Sequence, residues 1–176
     1  MEYFFLEQDP RHANFPVLTG LFHILDKRDI NCENAHKIPD DIIVYAKCGA
    51  DCDAPSVLTH DLLLISESVK DVLLFYNEDL ILKNVAAIDY ERNRQFIYFL
   101  PIFECVECFE PSGERGAVGA ETPGPVLRSE AVRGKSMFRP NRDAPQKAVI
   151  RLDVAESLMR RGITDIKLTR IAGDRV

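Results

Sequence analysis

The sequence predicts an α+β or α/β domain, with a strand-rich core sheet, two or three short covering helices and a long loop rich in glycine and proline. The first observation behind this prediction is a strand–helix–strand order that occurs twice, near residues 62–88 and near residues 148–171. The second is the length of each helix, roughly three turns, which is too short to be stable alone in water. Each helix must therefore pack on a sheet.

The N-terminal part contributes two predicted strands. Residues 2–7, "EYFFLE", are aromatic at positions that suit a half-buried pleat. Residues 41–48, "DIIVYAKC", form a second apolar run that ends at Gly49. The segment between them, residues 8–40, is interrupted by three prolines and is predicted to be irregular.

The first strand–helix–strand unit begins with the short apolar run "LLLI" and a helix that follows it. Ser66 is predicted to be the N-cap, because its hydroxyl can accept a hydrogen bond from a free amide of the first turn. Apolar residues then recur at i, i+3, i+4 and i+7, which indicates one buried helix face. The chain returns as a strand over "LILKNVAAI", turns at residues 90–95 and continues as a long predicted strand over residues 96–109.

The second unit lies near the C-terminus. "MFRP" and "KAVIRL" are predicted strands, and Asp153 with Glu156 resembles a capping box at the start of a helix. Gly162 is predicted to end that helix in a left-handed conformation, with Ile163 as the apolar contact that often follows. "TDIKLTRI" is the predicted closing strand. Residues 111–125 hold four glycines and three prolines and are predicted to be a mobile loop.

Length and composition indicate one domain over residues 1–176, with N-terminal strands and an irregular segment over 1–57 and a core over 58–171. No apolar run approaches the ~18 residues of a membrane span. The first residues have an acidic second position and no basic region, so we expect no secretory signal and a cytoplasmic protein. Five cysteines, an odd number, argue against a disulfide framework.

The net charge of −6 conceals an asymmetry along the chain. Residues 1–110 carry 20 acidic and 9 basic residues, a net of −11, whereas residues 111–176 carry 8 acidic and 13 basic residues, a net of +5. An acidic segment repels nucleic-acid phosphates and attracts basic surfaces, unless the charges intermix on the folded surface. The acidic residues predicted to contact a partner are Asp40, Asp41, Asp51, Asp53, Glu67, Asp71, Glu78 and Asp79.

Cys105 and Cys108 form the C-x-x-C spacing that comes closest to a chemical motif. A redox pair of this kind sits at a helix N-terminus, where the dipole lowers the thiol pKa, and these two lie in a predicted strand. Cys48 and Cys52 add a C-x-x-x-C loop, so four thiolates could close a zinc site. The main interpretation is that the cysteines are small buried apolar residues and that no metal or cofactor is bound; the zinc module stays open as an alternative.

Three further candidates for catalysis are weaker. The dipeptide His60-Asp61 precedes a buried strand, where a turn role is expected, and Ser112 lies in "PSGERG", which is neither a nucleophile elbow nor a phosphate loop. Glu104, Glu107 and Glu110 could act as acid and base, but neighbours three apart on a strand face opposite ways, which favours solvated charge. We therefore predict no enzyme, with an unrecognised enzyme as an open alternative.

The order of the elements carries a family resemblance over roughly residues 58–171. "LLLISESVKDVLLFY", "FIYFLPIFECVECFEPSGE", "MFRP" and "VIRLDVAESLMRRGITDIKL" follow one another in the chain. This order resembles a bacterial immunity-protein family of polymorphic toxin systems, the eleventh in the usual numbering and formerly a domain of unknown function. Leu168 replaces the family's aromatic residue, and residues 111–125 look like an insertion. The matching positions are Ser66, Val72, Leu73, Glu110, Ser112, Phe138, Arg139, Gly162, Ile163, Ile166 and Lys167.

The resemblance implies an antidote that binds a cognate protein toxin and protects the producing cell and its kin. It implies occlusion of the toxin's active site and no catalysis, and it supplies no catalytic residues. The acidic bias of residues 1–110 would suit a basic toxin, because opposite charge speeds encounter. We expect no nucleic-acid or membrane partner, and the oligomeric state is left open.

Overall fold

The computed structural model describes residues 1–109, 125–140 and 147–173, which form a mixed α+β fold. Two 3-10 helices, Lys27–Asp29 and Ala35–Lys37, lie in the segment over residues 25–40. The α-helices of the described residues are α1 Leu21–Ile24, α2 Glu67–Tyr76 and α3 Leu152–Arg160. Their strands are β1 Tyr3–Gln8, β2 Val17–Thr19, β3 Asp41–Lys47, β4 Val57–Leu58, β5 Leu64–Ile65, β6 Ile81–Asp89, β7 Arg94–Ile102, β8 Val126–Leu127, β9 Met137–Phe138, β10 Ala148–Arg151, β11 Ile166–Arg170 and β12 Ala172–Gly173.

The larger sheet has six strands in the order β2-β3-β6-β7-β5-β4. Its β3–β6 pair is parallel, and β6 and β7 form an antiparallel hairpin. Strand β3 alternates strictly, with Ile42, Val44 and Ala46 buried and the residues between them exposed. This period of two places one side of the strand in a core.

The other side of that core is formed by residues 8–40, the segment predicted to be irregular. Leu21, Leu25, Ile30 and Ile38 are buried against the inner face of the six-stranded sheet. The segment contains little regular structure, yet its apolar residues pack in one core with the buried face of the sheet, which includes Tyr98 and Leu100 of β7. Irregular chain therefore does here what a helical layer does in other α+β folds.

The second sheet has four strands in the order β11-β1-β10-β9, all antiparallel to their neighbours. The predicted first strand, the strand within "KAVIRL" and the closing strand are thus direct neighbours, although β1 and β11 are far apart in sequence. A separate parallel pair joins β12 to β8. Tyr3, Val149 and Phe138 of this sheet pack in one core together with Val132.

Helices α2 and α3 share one core with both sheets. Val69, Val72 and Leu73 of α2 are fully buried together with Val154 and Leu158 of α3. The same cluster includes Leu6 and Ile150 of the four-stranded sheet and Ile65 of the six-stranded sheet. The predicted helix positions are therefore confirmed, and each buried aliphatic side chain contributes roughly 1.5–3 kcal/mol.

The end of α3 agrees with the sequence in detail. Gly162 has a φ of 78°, and its N–H donates to the carbonyl of Met159 at 3.0 Å. The N–H of Ile163 donates to the carbonyl of Leu158 at 3.2 Å, and Ile163 is buried. These two bonds form a Schellman motif, which satisfies carbonyls that the last turn leaves free.

The predicted helix starts are only partly right. Ser66 occupies the N-cap of α2, but its hydroxyl lies 3.1 Å from the hydroxyl of Ser68 and caps no amide. The capping box at Asp153 and Glu156 is wrong, because the N-cap of α3 is Arg151, two residues before Asp153, and the helix begins at Leu152. The Arg151 guanidinium pairs with the Asp153 carboxylate at 2.6 Å instead.

The long strand predicted over residues 96–109 is also wrong in extent, because β7 ends at Ile102. Residues 103–109 keep only isolated bridges, from Cys105 to Arg139 and from Phe109 to Leu127. The predicted mobile loop lies, up to residue 124, outside the described residues, as do Glu110 and Ser112. Among the described residues no helix is long and apolar enough to cross a membrane.

Candidate partner-binding site

One side of α2 carries acidic residues around an exposed aromatic ring. Glu67, Asp71 and Phe75 follow one another at i, i+4 and i+8, so they lie on the same side of the helix. Their side is opposite to the buried positions, and 72% of Phe75 is exposed to solvent. The helix ends at Tyr76, and the acidic pair Glu78 and Asp79 follows in the exposed turn that leads to β6.

Lys70 is the counter-charge within this group. Its Nζ lies 3.3 Å from Glu67 and 3.4 Å from Asp71, and its side chain is largely buried over the Phe99 ring at 4.5 Å. The lysine therefore offsets part of the charge of both carboxylates while presenting little of itself to a partner. We call Glu67, Asp71, Phe75, Glu78 and Asp79 the α2 acidic surface.

Phe75 is the residue that sequence reasoning missed. The apolar helix positions of α2 were predicted from their spacing, and Phe75 does not fit that spacing, which is why it points outward. A large apolar side chain at an outward helix position is the signal that could have identified it. Phe75 packs edge-on against Tyr76, with ring centroids 5.3 Å apart, which holds the exposed ring against the helix.

Asp40 and Asp41 lie elsewhere, at the start of β3. The Asp40 carboxylate accepts a hydrogen bond from Lys83 Nζ at 2.6 Å, and the Asp41 carboxylate accepts one from Asn84 Nδ2 at 2.7 Å. Lys83 is itself buried, and the salt bridge to Asp40 compensates its charge. The two aspartates thus link β3 to β6 by side-chain hydrogen bonds and also place negative charge on the surface.

Asp51 and Asp53 lie at the opposite end of β3, in the loop that follows Lys47. Asn14 organises this loop, since its Nδ2 donates to the Asp51 carbonyl at 2.7 Å and its own carbonyl accepts from the Asp53 N–H at 2.8 Å. His12 Nδ1 lies 3.6 Å from the Asp53 carboxylate. Strand β3 separates these acids from Asp40 and Asp41, so the eight predicted acidic residues do not form one continuous surface.

The four cysteines of the zinc alternative are not brought together. Cys48 contacts Cys52, and burial together with that contact raises the pKa of the Cys48 thiol to about 12. Cys48 and Cys52 belong to the core of the six-stranded sheet, whereas Cys108 lies fully buried in the core on the far side of the four-stranded sheet. All four cysteines are described, and the described residues contain no group of three or more metal-binding side chains. The described structure therefore does not assemble the four thiols into one site.

The remaining catalytic candidates have ordinary surroundings. Burial raises the pKa of the Cys108 thiol to about 11, which disfavours the reactive thiolate. His60 is exposed and stacks at 5.6 Å on Phe15. Glu104 pairs with Lys135 Nζ at 2.6 Å, and Glu107 is exposed.

A cleft of about 290 Å³ lies between the N-terminal strand and residues 127–133. Its walls are mainly apolar and include Tyr3, Leu127 and Ile171, with Glu130 and Arg133 among its polar residues. Among the residues that the structure describes, no predicted catalytic or metal-binding side chain lines this cleft. The predicted catalytic and metal-binding residues that the structure describes therefore lie outside this cleft.

The outer face of the six-stranded sheet is covered only in part. Leu82 and Phe99 pack under α2, but Ile43, Tyr45, Ile97 and the neighbouring Tyr90 are 51–69% exposed. Register places Ile43 beside Ala86 and Ala86 beside Ile97, so the exposed apolar residues are contiguous. We call the area of Asp41, Ile43, Tyr45, Lys47, Ala86, Ile88, Tyr90 and Ile97 the open sheet face.

Comparison with known proteins gives no relative: no protein-family model matches the chain, and no curated protein matches it. The resemblance to an immunity-protein family therefore stays a prediction from the sequence.

Proposed function

We propose that this chain is a non-catalytic, immunity-type protein that binds a cognate bacterial toxin with a basic surface and occludes its active site in the cytoplasm. The observation that carries the proposal is the α2 acidic surface, four carboxylates around an exposed aromatic ring. The order of elements that resembles an immunity-protein family supports the same conclusion.

The chemistry of this surface suits a protein partner with arginine or lysine side chains. An exposed phenyl ring gives apolar contact and can accept a cation on its face, at roughly 0.5–2 kcal/mol. Carboxylates around such an anchor raise the rate of encounter with a basic protein and exclude partners of like charge. Aromatic anchors surrounded by polar groups are also where binding energy concentrates in interfaces.

The position of α2 in the fold also supports the α2 acidic surface as the binding site. Helix α2 is anchored in one core through Val69, Val72 and Leu73, so its outward side is presented on a rigid support. A preorganised surface loses little conformational entropy when it binds. The surface thus supplies occlusion by shape and charge and needs no reacting group.

The first test asks whether this chain binds the protein encoded by the neighbouring gene and protects cells against it. We expect the neighbouring gene product to form a complex with this chain, and its toxicity in bacteria to disappear when the two are expressed together. Affinity measured by titration calorimetry should fall steeply with added salt, because the attraction is between exposed charges. If the neighbouring product does not bind and no cell is protected, the proposal is wrong.

The second test identifies the surface. Phe75→Ala should weaken the complex by at least about tenfold, the lower range for an aromatic anchor, and Asp71→Lys should slow association. Folding should be preserved, since both side chains are exposed. Phe22→Ala is the matched control, because Phe22 is also a partly exposed phenylalanine on a helix, at 41%. Equal loss in the control, or no loss in Phe75→Ala, would place the contact elsewhere.

A further inference from the structure

We propose that the open sheet face binds a second copy of this chain, forming a two-fold symmetric dimer in which β3 of each copy crosses β3 of the other in the antiparallel direction. The open sheet face does not include the α2 acidic surface, and the argument does not depend on the proposed function. It rests on how charge and apolar side chains are arranged along β3.

The outward residues of β3 form a symmetric series. Asp41, Ile43, Tyr45 and Lys47 are all exposed on the same face, in that order along the strand. The acid and the base are six residues apart, about 20 Å at ~3.3 Å per residue. Two large apolar side chains lie between them, and the apolar area continues sideways through Ala86 and Ile97.

A two-fold axis in the plane of the interface, perpendicular to the strands and level with Val44, places this series on itself in reverse. Asp41 of one copy then lies over Lys47 of the other, and Ile43 lies over Tyr45, twice in each case. An isologous contact requires such self-complementarity. A two-fold axis parallel to the strands would instead place Asp41 on Asp41 and Lys47 on Lys47, so the charges select the antiparallel arrangement.

Both charged groups are available for this contact. Asp41 accepts a hydrogen bond from Asn84, which fixes its carboxylate at the end of the face, and it forms no ion pair with a lysine or arginine of the described residues. Lys47 has no ion pair with any other residue of the described ranges. The opposite signs at the two ends also argue against a uniformly basic or acidic partner for this face, because either would meet a like charge at one end.

The size of the face sets the expected affinity. The face spans three strands, β3, β6 and β7. Spaced by ~4.8 Å and about 20 Å long, they cover roughly 200–300 Å², which is below the ~800 Å² per partner of a standard interface. Two sheets can nevertheless pack closely with their strands about 30° from parallel or antiparallel alignment. We therefore expect a weak dimer, with a Kd in the range of about 10–100 µM.

The experiment is sedimentation velocity of the full chain over about 1–500 µM, the range that spans this expected Kd. Wild type should shift from monomer to dimer as concentration rises. Asp41→Lys and Lys47→Asp should each weaken self-association at least about tenfold, because each places like charges together at both ends. The double variant with both substitutions should recover wild-type affinity within about threefold, since it restores opposite charges.

A mixture of the two single variants, Asp41→Lys and Lys47→Asp, gives the most decisive test. Asp41→Lys supplies a copy with two lysines, and Lys47→Asp supplies one with two aspartates, so the two single variants should form a heterodimer although neither pairs with itself. A merely structural role for Asp41 would not produce this recovery. Phe75→Ala is the control and should self-associate like wild type, which separates this face from the α2 acidic surface.

Three results would overturn the proposal. They are wild type that stays monomeric at every concentration, single variants that self-associate as well as wild type, or a mixture of single variants that forms no heterodimer. Circular dichroism of each variant checks that the fold is retained. If Asp41→Lys fails to fold, Lys47→Asp and Ile43→Ser, each measured alone, decide the question: Lys47→Asp places like charges together and Ile43→Ser removes an apolar contact without changing charge, so both should weaken self-association.

Discussion

At the scale of single residues, several charged groups are stabilised by close partners. Asp9, directly after β1, is 4% exposed and accepts bonds from the backbone N–H and the guanidinium of Arg11 at 2.5–3.0 Å. The Arg11 guanidinium, then its backbone N–H, lowers the pKa of the Asp9 carboxyl to about 2. The folded state thus stabilises the ionised form of the Asp9 carboxyl.

A pH-dependent contribution of Asp9 to stability follows. Since the folded pKa lies below the unfolded value of about 3.9, the contribution is complete above about pH 4 and is lost as the pH falls towards about 2. Asp9→Asn should lower the free energy of unfolding at pH 7, and its difference from wild type should shrink in acid. Urea unfolding from pH 7 to pH 2 measures this. The exposed Glu91 provides the control Glu91→Gln, and a difference that stays constant with pH would contradict the prediction.

At the scale of elements, local sequence determines where α3 ends more reliably than where it begins. The Schellman bonds of Gly162 need only a glycine at a positive φ and an apolar residue after it, and both are adjacent in sequence. The start of α3 depends on where β10 stops, which is set by its pairing with β1 as far as Arg151. A capping-box pattern could not show that pairing.

Gly162→Ala tests the C-terminal cap. We expect it to lower the free energy of unfolding by about 1–2 kcal/mol, because an L-residue with a side chain is strained at positive φ. Gly173→Ala is the matched control, since Gly173 has no positive φ and a Cβ there meets no atom within 4 Å. Chemical unfolding in urea measures both variants. Similar losses in the two variants would show that the left-handed turn is not the cause.

At the scale of the whole molecule, one core connects the two sheets. The cluster around α2 and α3 includes residues of β1, β5, β7 and β10, and Tyr76 Oη also donates to the Asp153 carbonyl at 2.9 Å. A shared core favours unfolding as one unit. The single domain predicted over residues 1–176 can therefore be tested by its cooperativity.

Leu73→Ala provides that test. Leu73 is fully buried in the shared core, so we expect a loss of about 2–5 kcal/mol. The transitions seen by far-UV and near-UV circular dichroism should coincide in wild type and shift together in the variant. Phe75→Ala, two residues away on the exposed side of α2, should change stability by less than about 0.5 kcal/mol. Two separate transitions would indicate two independently folding parts.

Local periodicity was sufficient for much of this fold. The alternation of β3, the buried positions of α2 and the glycine end of α3 each depend on neighbours a few residues apart, so the sequence alone determined them. The α+β class followed, because short helices with one apolar face require a sheet. The apolar residues of 21–38 lie in one four-residue α-helix, two 3-10 turns and the chain between them. These elements are too short to give a periodic pattern, so their packing on a sheet face was not predictable from spacing.

The candidate surfaces were decided by tertiary structure. The acidic residues were identified by sign alone, but only strand pairing separates Asp51 and Asp53 from Asp40 and Asp41. The four cysteines had plausible spacing, but Cys48 and Cys52 pack in one core and Cys108 in another. Phe75 and the open sheet face are exposed because of which neighbouring elements pack beside them and which do not. Composition and spacing determine what each segment can form, whereas contacts between distant segments determine which side chains remain available to a partner.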